Sequence, residues 1–400
     1  MIKAQDIWWN VGPSDVSIYS LGILDPFIFA GAPCIEGGVF RSSDQGDEWE
    51  MVNSGLPGDP TIITSIATSD SSILVAAAFR GMYITKDTAR TWTHVVHNGS
   101  LQLVHSIVFA GAPWNVIVVG GGRIKNTAGI MVSENGTNWM DINGGLPVAA
   151  SVYSLLVRDS VLYAGTINGV YTLKFNSNHW EPSNSGMANS RIISIGGNDS
   201  YLFAGSDENG VYRSEDGEHW NQINTGLSIA NNEFTSFAFS GTSIFVSASG
   251  DSGGVFQSTD NGDHWYANNE GFLLNTEINA LIMSEPFIYA GSNDGVYRRS
   301  LSSITSNHEI KDDNFNNKTL SLYPNPSSGL ITLSLNFDDS KEVDITCFTS
   351  SGQNIFNKNY KLVNGRLNAD LDLSFCPNGI YFIQIHNNHK SIFRKVIINH

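Results

Sequence analysis

Tryptophan recurs at positions 49, 92, 139, 180, 220 and 265, in steps of 43, 47, 41, 40 and 45 residues. Ahead of each stands a variant of one phrase, such as "VYSLLVRDSVLYAGTINGVYTL" before Trp180 and "IISIGGNDSYLFAGSDENGVYRS" before Trp220. A seventh copy, "INALIMSEPFIYAGSNDGVYRRS", has no tryptophan behind it. Each unit reads as three short strands, alternating or apolar, separated by Gly, Asn and Asp turns, with a fourth strand starting at the tryptophan. No helical period shows anywhere in it. A lone twisted sheet of four strands leaves both faces bare, so units of this kind must cover one another.

The fold class that follows is all-β: a seven-bladed β-propeller over residues 1–300, because only a closed ring of such units leaves none uncovered. Closure rests on "DIWWNVG", residues 6–12, which matches the fourth-strand start "HWNQINTG" but has no strands of its own in front of it. Trp8 or Trp9 is expected to begin the outer strand of the seventh blade, since an open ring would expose strand edges.

Between third and fourth strands lies Ser/Thr-x-Asp-x-Gly-x-x-Trp. It is complete in Ser42, Asp44, Gly46, Trp49 and in Ser258, Asp260, Gly262, Trp265, and Thr85-Asp87-Ala89-Trp92 is a near match. Ser133-Asn135-Gly136-Trp139 and Ser214-Asp216-Gly217-Trp220 are shortened by one residue, and 173–180 is degenerate. An aspartate in such a turn accepts backbone N–H groups, the glycine supplies a positive φ, and the tryptophan fills the space between sheets. These are structural roles, and one copy per blade sets the aspartates too far apart to share a catalytic or calcium centre. His179, His219 and His264, each just ahead of its tryptophan, read as turn residues in the same way.

The motif resembles the Asp-box, or bacterial-neuraminidase repeat, found in sialidases, xyloglucanases, sortilin-like receptors and photosystem assembly factors. The resemblance implies the propeller and leaves activity open. The Arg-Ile-Pro motif of sialidases is absent, since Arg123-Ile124 is followed by Lys125 and Arg191-Ile192 by Ile193. Xyloglucanases of this class place catalytic aspartates in a cleft between two propellers, whereas this chain has repeats for one.

After Arg299 the pattern stops. Residues 301–318 are polar and read as a linker; residues 319–400 return to alternating strands with Gly and Asn turns, enough for a small Ig-like β-sandwich. This segment resembles the type A C-terminal sorting domain of the type IX secretion system of Bacteroidetes. Tyr323-Pro324-Asn325-Pro326 opens it, Gly352 marks a hairpin, Gly379 and Tyr381 match a Leu-x-x-Gly-x-Tyr region with Cys376 in the leucine's place, and Lys395 begins the closing run. The resemblance implies export through the Sec route, recognition by the outer-membrane machinery as partner, and removal by a sortase-like peptidase. The start, "MIKAQDIWWN", lacks the apolar core of a signal peptide while Lys3-Ala4-Gln5 looks like the tail of one, so the expectation is a secreted or outer-membrane surface protein whose leader is missing from this chain.

Composition narrows the partners. Twenty-two Lys and Arg against 38 Asp and Glu give a net charge of −16, which repels nucleic acid and anionic membranes. No apolar run approaches the roughly 18 residues of a transmembrane segment. The three cysteines have no metal-ligand spacing, and Cys347 and Cys376 fall on apolar strand patterns as buried free thiols or as a mutual disulfide. No cofactor, metal site or catalytic residue is assigned.

The loops between second and third strands open on the face away from the Asp-box turns, and their charge is uneven. Arg80, Arg123 and Lys125 form a basic arc, and Glu36, Asp207, Glu208, Asp251 and Asp294 an acidic one. These are the candidate ligand-binding residues of a propeller that acts as a binding or interaction module for a glycan or a surface protein. The alternative is a glycoside hydrolase of sialidase or xyloglucanase type, which needs two carboxyl groups about 5 to 10 Å apart.

Overall fold

A computed structural model describes residues 7–33, 38–57, 62–69, 72–77, 81–95, 103–122, 129–148, 150–188, 190–230, 232–250, 253–273, 276–301, 320–324, 327–336, 342–349, 354–362, 366–386 and 391–400. The chain divides into two compact units: Val11–Arg298, and Met1–Asn10 together with Arg299–His400. The segment read as a linker lies, from residue 302 on, outside the described residues.

In the larger unit the first sheet runs through Ser20–Leu24, Phe27–Gly31, Val39–Ser42 and Glu50–Met51, each strand antiparallel to its neighbour. The same order of four strands recurs over 63–95, 103–141, 152–182, 192–222 and 232–267. A further sheet takes three strands from the end of the repeat, Ile278–Ser284, Phe287–Ser292 and Gly295–Ser300, and its fourth from the start of the chain, Trp9–Gly12.

The first strand of each sheet packs against the first strand of the next, and Ile278–Ser284 packs against Ser20–Leu24. Small residues permit this approach. A Cβ on Gly205 would lie 2.6 Å from the Phe234 carbonyl oxygen, and one on Gly291 would lie 2.7 Å from Ile18 Cγ2, so any side chain there would force neighbouring sheets apart. Six of the first strands carry one extra residue, Thr64, His105, Tyr153, Ile193, Thr235 or Asn279, where the register slips by one. Thr64 Oγ1 donates to the Val104 carbonyl at 2.7 Å, Thr235 Oγ1 to Ile278 at 2.9 Å, and Asn279 Nδ2 to Ile18 at 3.0 Å, so the bulges stitch one sheet to the next.

The core lies between sheets. Phe29, Val39 and Val52 of the first sheet pack with Ile63, Val75, Tyr83 and Trp92 of the second. Tyr289 and Val296 from the end of the repeat pack with Ile18, Ile28 and Phe40 from its start.

In the smaller unit Leu320–Tyr323, Leu330–Asn336 and Arg366–Asp372 form one sheet, and Asn354–Lys361, Glu342–Thr349, Gly379–His386 and Ser391–Ile398 another. Leu333 and Leu371 from the first share a core with Ile345, Ile383 and Val396 from the second. Of the two alternatives left open for Cys347 and Cys376, the structure has the buried free thiols. Among the described residues no helix is long and apolar enough to cross a membrane.

Candidate functional site

Each motif turn is a small hydrogen-bonded cage. Ser42 Oγ accepts the Gly46 N–H at 2.7 Å and donates to Asp44 Oδ1 at 2.8 Å, while the same carboxylate oxygen accepts the Glu48 N–H at 3.0 Å. Gly46 has φ +97°, which lets the chain reverse. The cage around Ser258 and Asp260 repeats this, with the Gly262 N–H at 2.8 Å and the His264 N–H at 3.0 Å. Asn135 replaces the aspartate without loss of the pattern, since its Oδ1 accepts from the Thr137 and Asn138 N–H groups, both at 2.9 Å.

The electrostatics follow from these donors. Hydrogen bonds from the N–H groups of His219 and Glu218 and from the His219 ring hold the Asp216 carboxyl well below the usual range, as the Thr85 and Thr91 hydroxyls do for Asp87. Burial pushes Asp44 upward, but the Glu48 N–H and Ser42 hydroxyl outweigh it and leave the group lowered. His219 Nδ1 lies 2.7 Å from Asp216 Oδ2, and that hydrogen bond raises the imidazole above its ordinary value. His264 Nδ1 lies 2.8 Å from Asp260 Oδ2. Among the described residues no group of three or more potential ligands could hold a metal ion.

Four of the six tryptophans donate their ring N–H to the stretch before their own sheet, while Trp139 donates to Gly136 in its own turn. Trp92 Nε1 donates to the Val52 carbonyl at 2.6 Å, Trp180 to Ile142 at 2.6 Å and Trp265 to Ile223 at 2.8 Å, in each case the residue three places beyond the preceding motif tryptophan. Trp49 donates to Val11 at 3.0 Å. Trp8, three places before Val11, is fully buried.

Sequence reading missed two further contacts of the repeat. After five of the six tryptophans, all but Trp92, the asparagine four places on turns back to cap its own third strand: Asn53 Oδ1 accepts the Val39 N–H at 2.8 Å, Asn184 that of Val170 at 2.6 Å, and Asn224 that of Val211 at 2.8 Å. The arginine of Val-Phe/Tyr-Arg-Ser reaches forward into the next motif turn. Arg213 Nη1 donates to the Asn261 carbonyl at 2.7 Å and lies 2.8 Å from Asp263 Oδ1, with its guanidinium 4.8 Å from the Tyr201 ring centre. Arg41 donates in the same way to the Thr88 carbonyl. Both signals were present in the sequence as a repeated Asn-x-Gly and a repeated Arg-Ser.

The opposite end of the strands carries the loops proposed to bind ligand. Of their charged residues, Glu36, Arg80, Arg123, Lys125 and Asp251 lie outside the described residues. Asp207 is half-buried and engaged: Arg191 Nε lies 3.0 Å from its Oδ2, Arg191 Nη2 lies 2.7 Å from Glu233 Oε1, and the guanidinium sits 5.4 Å from the Tyr153 ring centre. Burial pulls Arg191 downward, but Glu233 and Asp207 outweigh it and raise the group. Tyr153 in turn meets the His105 ring at 5.3 Å, and burial lowers that histidine. Four successive sheets thus contribute to one ionic and aromatic cluster, which sequence reading did not assemble. Asp294 accepts from Tyr297 Oη at 3.1 Å and Glu208 is exposed. A pocket of about 330 Å³, lined by Leu156, Arg158, Asp159, Asn198 and Asp199, lies at the motif-turn end instead.

In the smaller unit Tyr323 ends its strand and Pro324 is exposed, while Asn325, Pro326 and Gly352 lie outside the described residues. Gly379 and Tyr381 open the strand Gly379–His386, where Tyr381 Oη donates to the Pro377 carbonyl at 2.8 Å, and Lys395 pairs with Phe382 in register. Residues 321–399 match the family model of the secretion system C-terminal sorting domain. The chain carries a type IX secretion sorting domain. That sorting domain accounts for the second half of the organisation, and solved structures account for the first. YCF48 bound to D1 peptide is 16% identical over 75% of this chain and 99% of its own, with a TM-score of 0.57. PorZ, a surface component of the type-IX secretion system of Porphyromonas gingivalis, is 13% identical over 97% of this chain and 60% of its own, at 0.55. The extracellular domain of BT4673 from B. thetaiotaomicron is 16% identical over 96% of this chain and 57% of its own, at 0.56. At these identities the likeness shows a β-propeller-type fold. No curated protein matches the sequence.

Proposed function

We propose that residues 1–300 are a seven-bladed Asp-box propeller closed by its N-terminal strand, that 301–318 join it to an Ig-like sorting domain at 319–400, and that the exported molecule binds a glycan or a protein segment. The sorting domain supports a secreted or outer-membrane surface location. Its partners in transit are the type IX outer-membrane machinery and a sortase-like peptidase.

The observation that carries the binding reading is the cluster of Arg191, Asp207, Glu233 and Tyr153. Elsewhere the repeated polar residues are spent within the repeat, on turns, caps and junctions. Here a guanidinium, two carboxylates and an aromatic ring converge with part of their surface open to solvent: Arg191 is 33% exposed and Glu233 50%. Carboxylates beside an aromatic face suit sugar hydroxyls, and they suit the polar groups of a peptide equally. YCF48 holds a peptide on this fold, which extends the reading to protein segments.

Glycan and peptide arrays, followed by turnover assays on every hit, test it. Binding without product supports the module. Released sugar overturns it in favour of a glycoside hydrolase.

A further inference from the structure

One face of the sorting domain breaks the polarity that a solvated sheet requires. Along Arg366–Asp372 exposed and buried residues alternate, with Arg366, Asn368, Asp370 and Asp372 outward. On the neighbouring strand Leu330 pairs with Asp372 and Thr332 with Asp370, so Leu330 and Thr332 share that outward side. Leu330 is 61% exposed. Tyr323, opposite Thr332 in register, is 54% exposed. Phe375, 66% exposed, adjoins the same end, where the Leu373 N–H donates to the Gly329 carbonyl at 2.7 Å.

Tyr323 and Leu330 are therefore exposed on one face near one end of the sheet, and Phe375 is exposed on the turn just beyond Asp372. They are the exposed large hydrophobic residues among those of this unit whose side chains are described. On the strand Asn354–Lys361 of the other sheet, Asn357, Lys358 and Asn359 are exposed. Two fixed negative charges border the patch: Asp370 accepts from Thr332 Oγ1 at 2.8 Å, and Asp372 from Ser374 Oγ at 2.6 Å. An apolar cluster with two aromatic anchors and a charged border is the form of a docking surface.

We propose that Tyr323, Leu330 and Phe375 form the surface by which the sorting domain docks on the export machinery, against an apolar cleft bordered by cationic side chains. This rests on the sorting reading, which supplies the partner; the acidic border supplies its charge.

The test uses the full chain behind a Sec leader in a type IX-secreting host, with the fraction reaching the surface or medium measured against that in the periplasm. Y323S, L330S and F375S together, and F375S alone, are compared with an N357S/K358S control, with D370K, and with a chain lacking residues 319–400; purified variants are melted to check folding. The expected result is about a tenfold fall in export for the triple variant, smaller falls for F375S and D370K, and parental export for the control. Parental export of F375S and of a folded triple variant, with the truncated chain retained, overturns this surface and leaves the sorting reading standing. An equal loss in the control overturns it as well. Export of the truncated chain overturns the sorting reading itself.

Discussion

Arg298 Nη1 donates to the Gln45 carbonyl oxygen at 2.7 Å across 253 residues of chain, and its Nη2 lies 3.0 Å from Asp47 Oδ1. The guanidinium also sits 4.6 Å from the Phe287 ring centre. Arg213 makes the same three contacts with Asn261, Asp263 and Tyr201. The junction between the last sheet and the first is thus built with the chemistry of an interior junction.

Removing that guanidinium should weaken the closing junction. Arg298 is 9% exposed while Asp47 is 51% exposed, so the loss is one charge-assisted hydrogen bond to the Gln45 carbonyl, which Tyr289 Oη also serves, and one partly screened ion pair. R298A should cost about 2 kcal/mol, and R298K should recover only part, because a lysine ammonium lacks the planar fork that spans the two acceptors and stacks on Phe287. Urea denaturation of the full chain measures it; an unchanged midpoint in R298A would refute the role. Deleting residues 1–12 should cost more, since it removes a whole strand and the Val11 carbonyl that Trp49 uses.

The Asn-x-Gly phrase after five of the six motif tryptophans predicts two unequal losses. Gly226 has φ +91°, and a Cβ there would lie 2.0 Å from the Trp265 carbonyl oxygen. G226A should therefore cost about 3 kcal/mol or more, as strained backbone meets a clash that backbone must relieve. N224A leaves the Val211 N–H without its acceptor and should cost about 1 to 3 kcal/mol. Denaturation midpoints that rank the two in the opposite order would count against this account of the phrase.

How far the sequence reached can be read from these residues. The tryptophan spacing and the alternating strands set the repeat, because burial between sheets imposes the same pattern on every copy. Asp44 and Gly46 were legible because their chemistry is local, within five residues of Ser42. Arg298 and Asn224 were visible as repeats but not as partners: one reaches into another sheet and the other folds back across a strand, and spacing alone does not say across which gap a side chain bonds. The Arg191 cluster was the least legible. It joins four sheets through residues that do not repeat, so no pattern marks it.

Acid should strip the motif turns of part of their stability. The folded-state values of Asp87 and Asp216 are lowered, so the unfolded chain binds protons first. Their contribution is present above the ordinary value of 3.8 and is lost as pH falls below it. Asn135 already performs the same hydrogen bonding without a charge. D87N should then keep most of the melting temperature at pH 7 and show a shallower decline between pH 4 and 2 than the parent. Parallel acid limbs in the two proteins would remove the carboxylate from the explanation.

His219 gives the opposite sign on the same turn. Its folded value is raised by the hydrogen bond to Asp216, so its contribution is present below the unfolded value of 6.5 and is lost as pH rises through the folded one. An NMR titration should place His219 above 6.5, and D216N should bring it down toward 6.5. A value that D216N leaves unmoved would break the assignment.

The two ends of the strands should separate stability from binding. At the motif-turn end, D44A removes the acceptor of the Glu48 N–H and of the Ser42 hydroxyl, so it should lower the melting temperature. It should leave affinity per folded molecule as it was, because the loops that would hold ligand open at the far end. At that end, D207N leaves Arg191 its Glu233 partner, and Asn in place of Asp294 still offers an oxygen to Tyr297, so the fold should survive both changes. A glycan or peptide drawn from the arrays should then bind about tenfold more weakly to the D207N/E208Q/D294N variant, the loss of roughly one charge-assisted hydrogen bond. Calorimetry on D44A and on the triple variant reads both quantities in parallel. Equal affinity of the triple variant and the parent would move the ligand away from this face, and a D44A protein that folds normally yet binds weakly would move it to the motif turns.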